Sequence, residues 1–244
     1  MESGGTGFVG RALTQLLKNR GHEVTSVSRS PGKNRITWDE LSRSGLPPCE
    51  GVVNLSGENV LNPLRRWNES FCKDVVASRV ETTKALAKAI AEAESPPRAW
   101  VLVTGVGVVL GRDGGAIAQM LWPFRLGLGG PIASGHQPFP WIHVADLAGI
   151  VTHALEQEGV SGILNGVAPS AVTTINKDFA QAMGSALGRP ALLPLPGFAV
   201  STIFGPERSI MLLEGQRVVP KRTLESHYCF AFPDLPSALR DILS

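Results

Sequence analysis

The sequence predicts an α/β fold built on a doubly wound parallel sheet, and three consecutive features at its start predict it. A glycine-rich loop, Gly4-Gly5-Thr6-Gly7-Phe8-Val9-Gly10, comes first. It runs into Arg11–Arg20, where Ala12, Leu13, Leu16 and Leu17 recur at helical spacing and Gly21 is placed to end the helix. Glu23 to Ser28 then forms a short β-branched run that reads as a strand. A glycine loop in this setting leaves a strand end and lets a dinucleotide pyrophosphate approach the N-terminus of the following helix. Only Met1, Glu2 and Ser3 precede the loop, so the first strand of the sheet is expected to be missing.

Composition narrows the partners. A chain of 244 residues is long enough for one large domain or a domain with a lobe. Its net charge of +2, with mixed signs and no basic stripe, excludes nucleic acid as an expected partner. No apolar run reaches membrane-spanning length, so no membrane is expected as partner either. Cys49, Cys72 and Cys229 are widely separated and lack a metal-ligand pattern. They read as reduced thiols of an intracellular protein, expected to be cytoplasmic; the start lacks a signal-peptide core and an Arg-rich presequence, but because it reads as cut short, organellar targeting is the alternative expectation.

The end of the second strand selects among dinucleotides. An acidic residue there would bind the ribose hydroxyls of NAD, whereas an arginine accommodates the extra phosphate of NADP. The sequence has Ser28-Arg29-Ser30 and no acid until Asp39. A guanidinium pairs bidentately with phosphate and a serine hydroxyl adds a donor, so NADP is the expected cofactor.

Further along, Gly51 to Asn59 reads as a buried strand opening into a loop, and Leu55 to Glu58 should border the cofactor. Glu69 to Ala93 is a long helical pattern ended by Pro96-Pro97, and Ala99 to Gly105 reads as a fully buried strand. A second strand-like run, Val106 to Leu110, follows directly, although parallel neighbours need a crossover of about a dozen residues. The two runs are expected to form one bent strand, to pair antiparallel, or to leave a sheet position vacant. Ala116 to Leu126 reads as a helix interrupted by Pro123, and Gly127 to Pro140 as an irregular segment. Pro140 to Ala148 joins a strand to a helix with Asp146 as its cap, and Ser161 to Val167 reads as a strand. Asn176–Leu187 is a helix stopped by Gly188 and Pro190; a mixed lobe from Leu192 contains Ser209 to Glu214 and a closing amphipathic helix, Leu235–Leu243. The division expected is a nucleotide-binding domain, 1–165, and a small α+β C-terminal lobe, 166–244.

These residues resemble the atypical and extended short-chain dehydrogenase/reductases, in the epimerase-family branch with a C-terminal lobe. The resemblance rests on the glycine loop, Asn54-Leu55-Ser56-Gly57-Glu58, Arg66-Trp67, Ser78-Arg79, Trp141 to Leu147 and Val219-Pro220-Lys221-Arg222 through Phe232-Pro233. It implies a Rossmann-like sheet whose glycine loop holds the pyrophosphate. Ser28 and Arg29 would hold the ribose phosphate, and Leu55 and Ser56 the middle of the cofactor. Asp74 and Arg79 would face the adenosine side and the cofactor edge, respectively; a surface pair on one helix is the other reading of these two.

The resemblance also implies general acid/base catalysis by a tyrosine with a lysine four residues later, on the helix after the strand ending at Thr104. A phenol titrating near pH 10 needs neighbouring positive charge to act at neutral pH. The single tyrosine, Tyr228, is followed four residues on by Phe232 and reads as a packing residue alternating with aromatic neighbours as on a strand. The segment that would house the pair is absent between Thr104 and Val108. Thr104 remains the candidate for polarising a substrate oxygen, and His143 beside Asp146 could be a proton carrier or a structural histidine. The other histidines show no metal spacing, and no nucleophile elbow occurs. With first strand and crossover both expected to be gone, the chain reads as a shortened, alternatively spliced isoform. It is expected to be an NADP-binding oxidoreductase or epimerase impaired in catalysis, or else a non-enzymatic interaction or regulatory protein that forms a homodimer.

Overall fold

The computed structural model describes residues 1–62 and 65–244. In chain order its elements are β1 (Glu2–Ser3), α1 (Phe8–Asn19), β2 (Ser26–Ser28), β3 (Arg35–Thr37), α2 (Trp38–Ser44), β4 (Gly51–Asn54), α3 (Glu69–Ala91) and β5 (Ala99–Leu102). There follow β6 (Val108–Gly111), α4 (Gly115–Arg125), β7 (Trp141–His143), α5 (Val144–Glu156), α6 (Asn176–Leu187), α7 (Gly197–Phe204), α8 (Pro206–Leu213), α9 (Lys221–Glu225) and α10 (Leu235–Leu243). They form two compact units that interleave in sequence: residues 1–59, 68–104 and 148–162, and residues 60–67, 105–147 and 163–244.

The first unit holds a five-stranded parallel sheet in the order β3-β2-β1-β4-β5. Successive strand residues point to opposite faces, and β4 shows it: Val53 packs with Leu13 and Leu17 of α1 and with Ala148 and Val151 of α5, while Val52 packs with Leu41 of α2 and Leu86 and Ala89 of α3. Helices on both faces make the sheet doubly wound, as the sequence predicts. Asn68 starts α3 by accepting the N–H of Phe71, and Thr37 starts α2 in a reciprocal capping box with Glu40.

The strand expected to be missing is present. Glu2 and Ser3 lie at the centre of the sheet, paired in parallel with β2 and with β4. The Glu2 N–H donates to Thr25 at 2.9 Å, and Met1 and Ser3 carbonyls accept the N–H groups of Val53 and Leu55 at 2.9 and 3.0 Å. Backbone pairing needs no apolar side chains, and β2 and β4 are already held by their own helices, so two residues fill the position. Their side chains are buried and polar, and the Ser3 hydroxyl donates to Asn54 Oδ1 at 2.7 Å. Glu2 accepts from the hydroxyls of Thr14 and Ser26, while its Oε2 is buried without a partner.

A second correction concerns β5. Its unbroken apolar sequence suggested burial on both faces, but β5 is an edge strand whose Trp100 and Leu102 are exposed. No helix lies between β5 and β6. Five intervening residues are too few for a parallel crossover. Instead β6 pairs in parallel with β7 in a separate two-stranded sheet, with α4 in the connection between them.

In the second unit, β6 and β7 carry Leu110 and Trp141 into a core with Ile117 of α4, Phe179 and Met183 of α6, and Leu239 and Ile242 of α10. Helix α6 stops at Gly188 in the left-handed region, φ 62°, where glycine carries no Cβ penalty. Ser161 to Val167 is not a strand: it makes one isolated parallel bridge, Val106 to Gly166. Tyr228 to Phe232 is likewise irregular, and α4 continues through Pro123 to Arg125. On α8 the buried Arg208 donates to the carbonyls of Val60 and Asn62 at 3.2 and 2.9 Å and lies over the Trp67 ring, pinning that segment within its unit.

Asp146 does not cap α5 but lies inside its first turn. Its buried carboxylate accepts the N–H groups of Ala231 and Phe232 at 2.7 and 2.9 Å and the Tyr228 hydroxyl at 3.2 Å. Two N–H donors, one of them on the exposed Ala231, are therefore satisfied by one buried side chain, so Asp146→Ala should cost about 1–3 kcal/mol in urea unfolding. At Glu2, burial pushes the carboxyl pKa above its ordinary value of 4.5, against smaller opposing effects of Thr14, Ser26, the amino terminus and Lys18. The folded state thus favours the protonated form. That contribution is fully present below the ordinary pKa and is lost as pH rises through the raised one. Glu2→Gln should consequently raise the melting temperature at pH 8 by about 2–4 °C for each kcal/mol recovered and leave it nearly unchanged at pH 4.

Candidate functional site

The glycine loop sits where β1 ends and α1 begins. Gly4 adopts φ +77°, and a Cβ there would lie 2.8 Å from the Leu55 backbone. Gly10, in the first turn of α1, packs so closely on the loop that a Cβ would lie 2.5 Å from Gly5 Cα. At Gly5 the added atom would collide with Glu2 Oε1. Three glycines thus serve three purposes: the left-handed turn, clearance above β1, and contact between helix and loop.

The helix end is prepared for an anion. Gly7 is the N-cap of α1, with no side-chain cap and no acidic residue in the first turn. The helix dipole therefore meets the loop with its positive end uncompensated. Arg11 extends the positive field, donating from Nη1 to the Thr6 carbonyl at 3.0 Å while remaining exposed. Beneath the loop lies the Glu2 carboxyl, whose pKa burial raises. Phe8 and Val9 form the opening of α1 itself.

The other expected binding residues lie in the same unit, with the end of β2 and Leu55 next to β1. Ser28 ends β2, its hydroxyl engaged with the Ser30 backbone, and Arg29 is exposed immediately after it. Leu55 donates its N–H to Ser3, which brings the end of β4 beside the glycine loop; the Ser56 N–H is held by Asn54 Oδ1 at 3.0 Å. Asn54 also donates to Thr83 of α3 at 3.0 Å, so one buried amide ties β1, β4 and α3 together. Arg79 donates to the Glu58 carbonyl at 3.1 Å and lies against Gly57, and Ser78 accepts the Glu58 N–H at 2.9 Å. This pair braces the loop after β4. Asp74 is exposed one turn earlier on α3.

Asn54 and Arg11 escaped sequence reasoning, although both had a signal. Asn54 is a polar residue closing the apolar run Val52-Val53, and Arg11 directly follows the last glycine of the loop. Thr104 is exposed in the irregular segment after β5.

The candidate proton carriers of the second unit are structural. His143 ends β7, is buried, and stacks on Phe232 with ring centroids 4.0 Å apart. Its Nδ1 accepts the Ala145 N–H, which leaves the proton on Nε2, 3.3 Å from Asp241. Burial lowers its pKa despite the opposing pull of Asp241 and Asp146. Tyr228 packs edge-on against Phe230 at 5.0 Å and spends its hydroxyl on Asp146. No group of His, Cys, Asp and Glu suited to a metal occurs among the described residues, and no helix among them is long and apolar enough to cross a membrane.

Comparison with known proteins agrees with this architecture. Residues 3–104 match the model of the NAD dependent epimerase/dehydratase family, and residues 195–242 match a domain of unknown function. The epimerase family protein SDR39U1 of Bos taurus is 55% identical over 289 residues, covering 99% of this chain and 98% of the relative; a chloroplastic homolog from Arabidopsis thaliana is 31% identical over 99% of this chain and 85% of its own. The bovine alignment runs over more positions than this chain's 244 residues, so that relative contains residues with no counterpart here. A crystal structure of human SDR39U1, isoform 2, with NADPH superposes with a TM-score of 0.97 at 54% identity, covering 99% of this chain and 98% of that one. A Bacillus cereus UDP-N-acetylglucosamine 4-epimerase, at 16% identity and a TM-score of 0.72, shares the fold over 99% of this chain and 96% of its own. With a doubly wound sheet, a three-glycine loop and relatives matched end to end, the chain belongs to the NAD dependent epimerase/dehydratase family, on the branch of the SDR39U1 epimerase family proteins.

Proposed function

We infer that this chain binds NADP(H) at the glycine loop as an oxidoreductase- or epimerase-type protein whose turnover is impaired. The observation that carries the binding half is the N-terminus of α1, without side-chain cap or first-turn acid, beside a loop in which backbone atoms bar a Cβ at Gly4 and Gly10. The residues fit the cofactor: clearance for a pyrophosphate at Gly4, Gly5 and Gly10, a cation at Arg11, and an exposed arginine beside a serine at the end of β2 for a ribose phosphate. Human SDR39U1, the relative crystallised with NADPH, supports the same reading. When bound, the cofactor would supply or accept hydride. This chain's contribution is to hold its phosphates and place its middle against Leu55 and Ser56.

The impaired half rests on the junction after β5. Thr104 is followed within a few residues by β6, with no helix to carry a tyrosine and a lysine one turn apart. The single tyrosine is committed to Asp146 in the other unit. A general acid positioned on a reacting oxygen contributes roughly 10²–10⁴-fold to rate. Such a junction is what a shortened, alternatively spliced isoform would contain. A second reading, a non-enzymatic interaction protein that forms a homodimer, draws on β5: an edge strand with exposed Trp100 and Leu102 offers backbone groups and apolar side chains for pairing.

Calorimetric titration of the purified chain tests the reading. NADPH should bind saturably and more tightly than NADH, and Arg29→Ala should weaken NADPH about tenfold while leaving NADH unchanged, as expected for loss of one charge-assisted phosphate contact. Gly10→Ala should abolish binding of both. NADPH oxidation with a panel of small carbonyl compounds should stay at background; robust turnover would overturn the impaired half and leave the binding half standing.

A further inference from the structure

The second unit exposes apolar side chains that its core does not explain. Trp122 and Leu126, one turn apart at the end of α4, are 67% and 68% exposed, and Leu192 and Phe198 are 78% and 77% exposed. Scattered surface leucines are ordinary, but a tryptophan and a phenylalanine among them in one neighbourhood are not.

The backbone brings the two groups side by side. The Leu193 N–H donates to Gly129 at 3.3 Å and the Leu195 N–H to Pro131 at 2.8 Å; Ala133 donates back to Leu195 at 2.9 Å. A Cβ on Gly127 would lie 3.7 Å from Pro190, and the Gly130 position abuts the Leu193 backbone. Segments 127–133 and 190–195 therefore run together, with Leu128 on one and Leu192 and Leu193 on the other, all exposed. α4 leads into the first segment and α7, with Phe198, continues from the second.

Charge distinguishes what would cover such a surface. Between Gly114 and Ala145 the sequence has no Asp or Glu and one formal cation, Arg125; between Phe179 and Pro206 it has none and one, Arg189. Both arginines are exposed beside the apolar residues, and Arg125 lies 5.9 Å from the Trp122 ring. The acids nearest in sequence, Asp113, Asp146, Asp178 and Glu207, fall outside both segments. A second copy of this chain docked face to face would bring two like-charged arginines to its own two, with no carboxylate in these segments to answer them. An apolar surface bearing tryptophan, with two arginines and no acid in the segments that form it, matches instead the boundary between acyl chains and anionic headgroups.

We propose that the surface formed by the end of α4, segments 127–130 and 190–195, and Phe198 docks on an anionic lipid bilayer. The contact is interfacial and needs no spanning helix, so the absence of a long apolar run, which led the sequence reading to exclude membranes, does not bear on it. Trp122, Leu126, Leu192 and Phe198 would enter the headgroup boundary and Arg125 and Arg189 would meet the lipid phosphates.

Flotation of the full chain with phosphatidylcholine vesicles, with and without phosphatidylserine, tests this. The chain should float with the phosphatidylserine vesicles only, and added salt should release it. Arg125→Gln with Arg189→Gln should lower the partition coefficient by roughly 30-fold, taking about a fivefold factor for each basic residue. Leu126→Ser with Phe198→Ser, two exposed positions whose change circular dichroism should show to leave the fold intact, should abolish flotation. No flotation, or flotation indifferent to both double variants, overturns the proposal. So does a dimer in analytical ultracentrifugation that the serine variant dissociates, because a second copy would then own the surface.

Discussion

The nucleotide-site geometry depends on the pairing of two residues, Glu2 and Ser3, between β2 and β4. The glycine loop begins at the next residue, so its height above the sheet is set by how β1 is seated. The same backbone fixes the other wall of the site, because the Ser3 carbonyl holds the Leu55 N–H. Each such hydrogen bond contributes only about 0.5–1.5 kcal/mol net. They suffice because the neighbouring strands are anchored independently: Val53 by α1 and α5, and Val27 and Val52 by α2 and α3. A short strand between two secured ones loses little chain entropy on pairing beyond that of its own residues.

From that strand the dependence runs through α3. Asn54 joins Ser3 to Thr83, and Ser78 and Arg79 grip Glu58 one turn earlier on the same helix. The loop after β4 is thereby held at both ends, at Ser56 by Asn54 and at Glu58 by the helix. Arg79 is thus a positioning residue for the loop, with its guanidinium already spent on backbone carbonyls. The helix is long and weakly apolar because it carries these polar contacts on one side and the Leu86 and Ala89 core contacts farther along.

What the sequence made legible was local. α1, α6 and α10 followed from apolar spacing, with Gly21 and Gly188 marking the ends of the first two, signals that act within a turn of where they sit. The glycine loop was legible because backbone sterics impose glycine wherever they apply. β1 was not, since two polar residues carry no period and its hydrogen bonds come from residues far along the chain. β5 misled for a related reason: an unbroken apolar run reports hydrophobicity and cannot say whether a neighbour covers it. Asp146 stood where a cap would stand, yet its partners Ala231 and Phe232 lie a whole lobe away in sequence. Arg208 gave no sign of burial, because its acceptors on Val60 and Asn62 are backbone carbonyls, and these leave no residue signature. The Thr37–Glu40 capping box was a readable signal for α2 that went unused.

Binding without turnover is physically coherent for such a site. Phosphate recognition is assembled from β1, the glycine loop, α1 and the end of β2, all of which precede the junction after β5. The resemblance to short-chain dehydrogenase/reductases implies proton transfer from a helix following β5, and no helix lies between β5 and β6. Reduction of a carbonyl creates an alkoxide that must be protonated, and water reaching an exposed Thr104 is a poor substitute for an acid held at hydrogen-bond distance with its pKa matched to the task. Losing that acid raises the barrier without touching the ground-state contacts to the cofactor phosphates. On the proposed reading the two capacities are separable along the sequence, because the phosphate-binding elements all precede Thr104 and the acid would follow it.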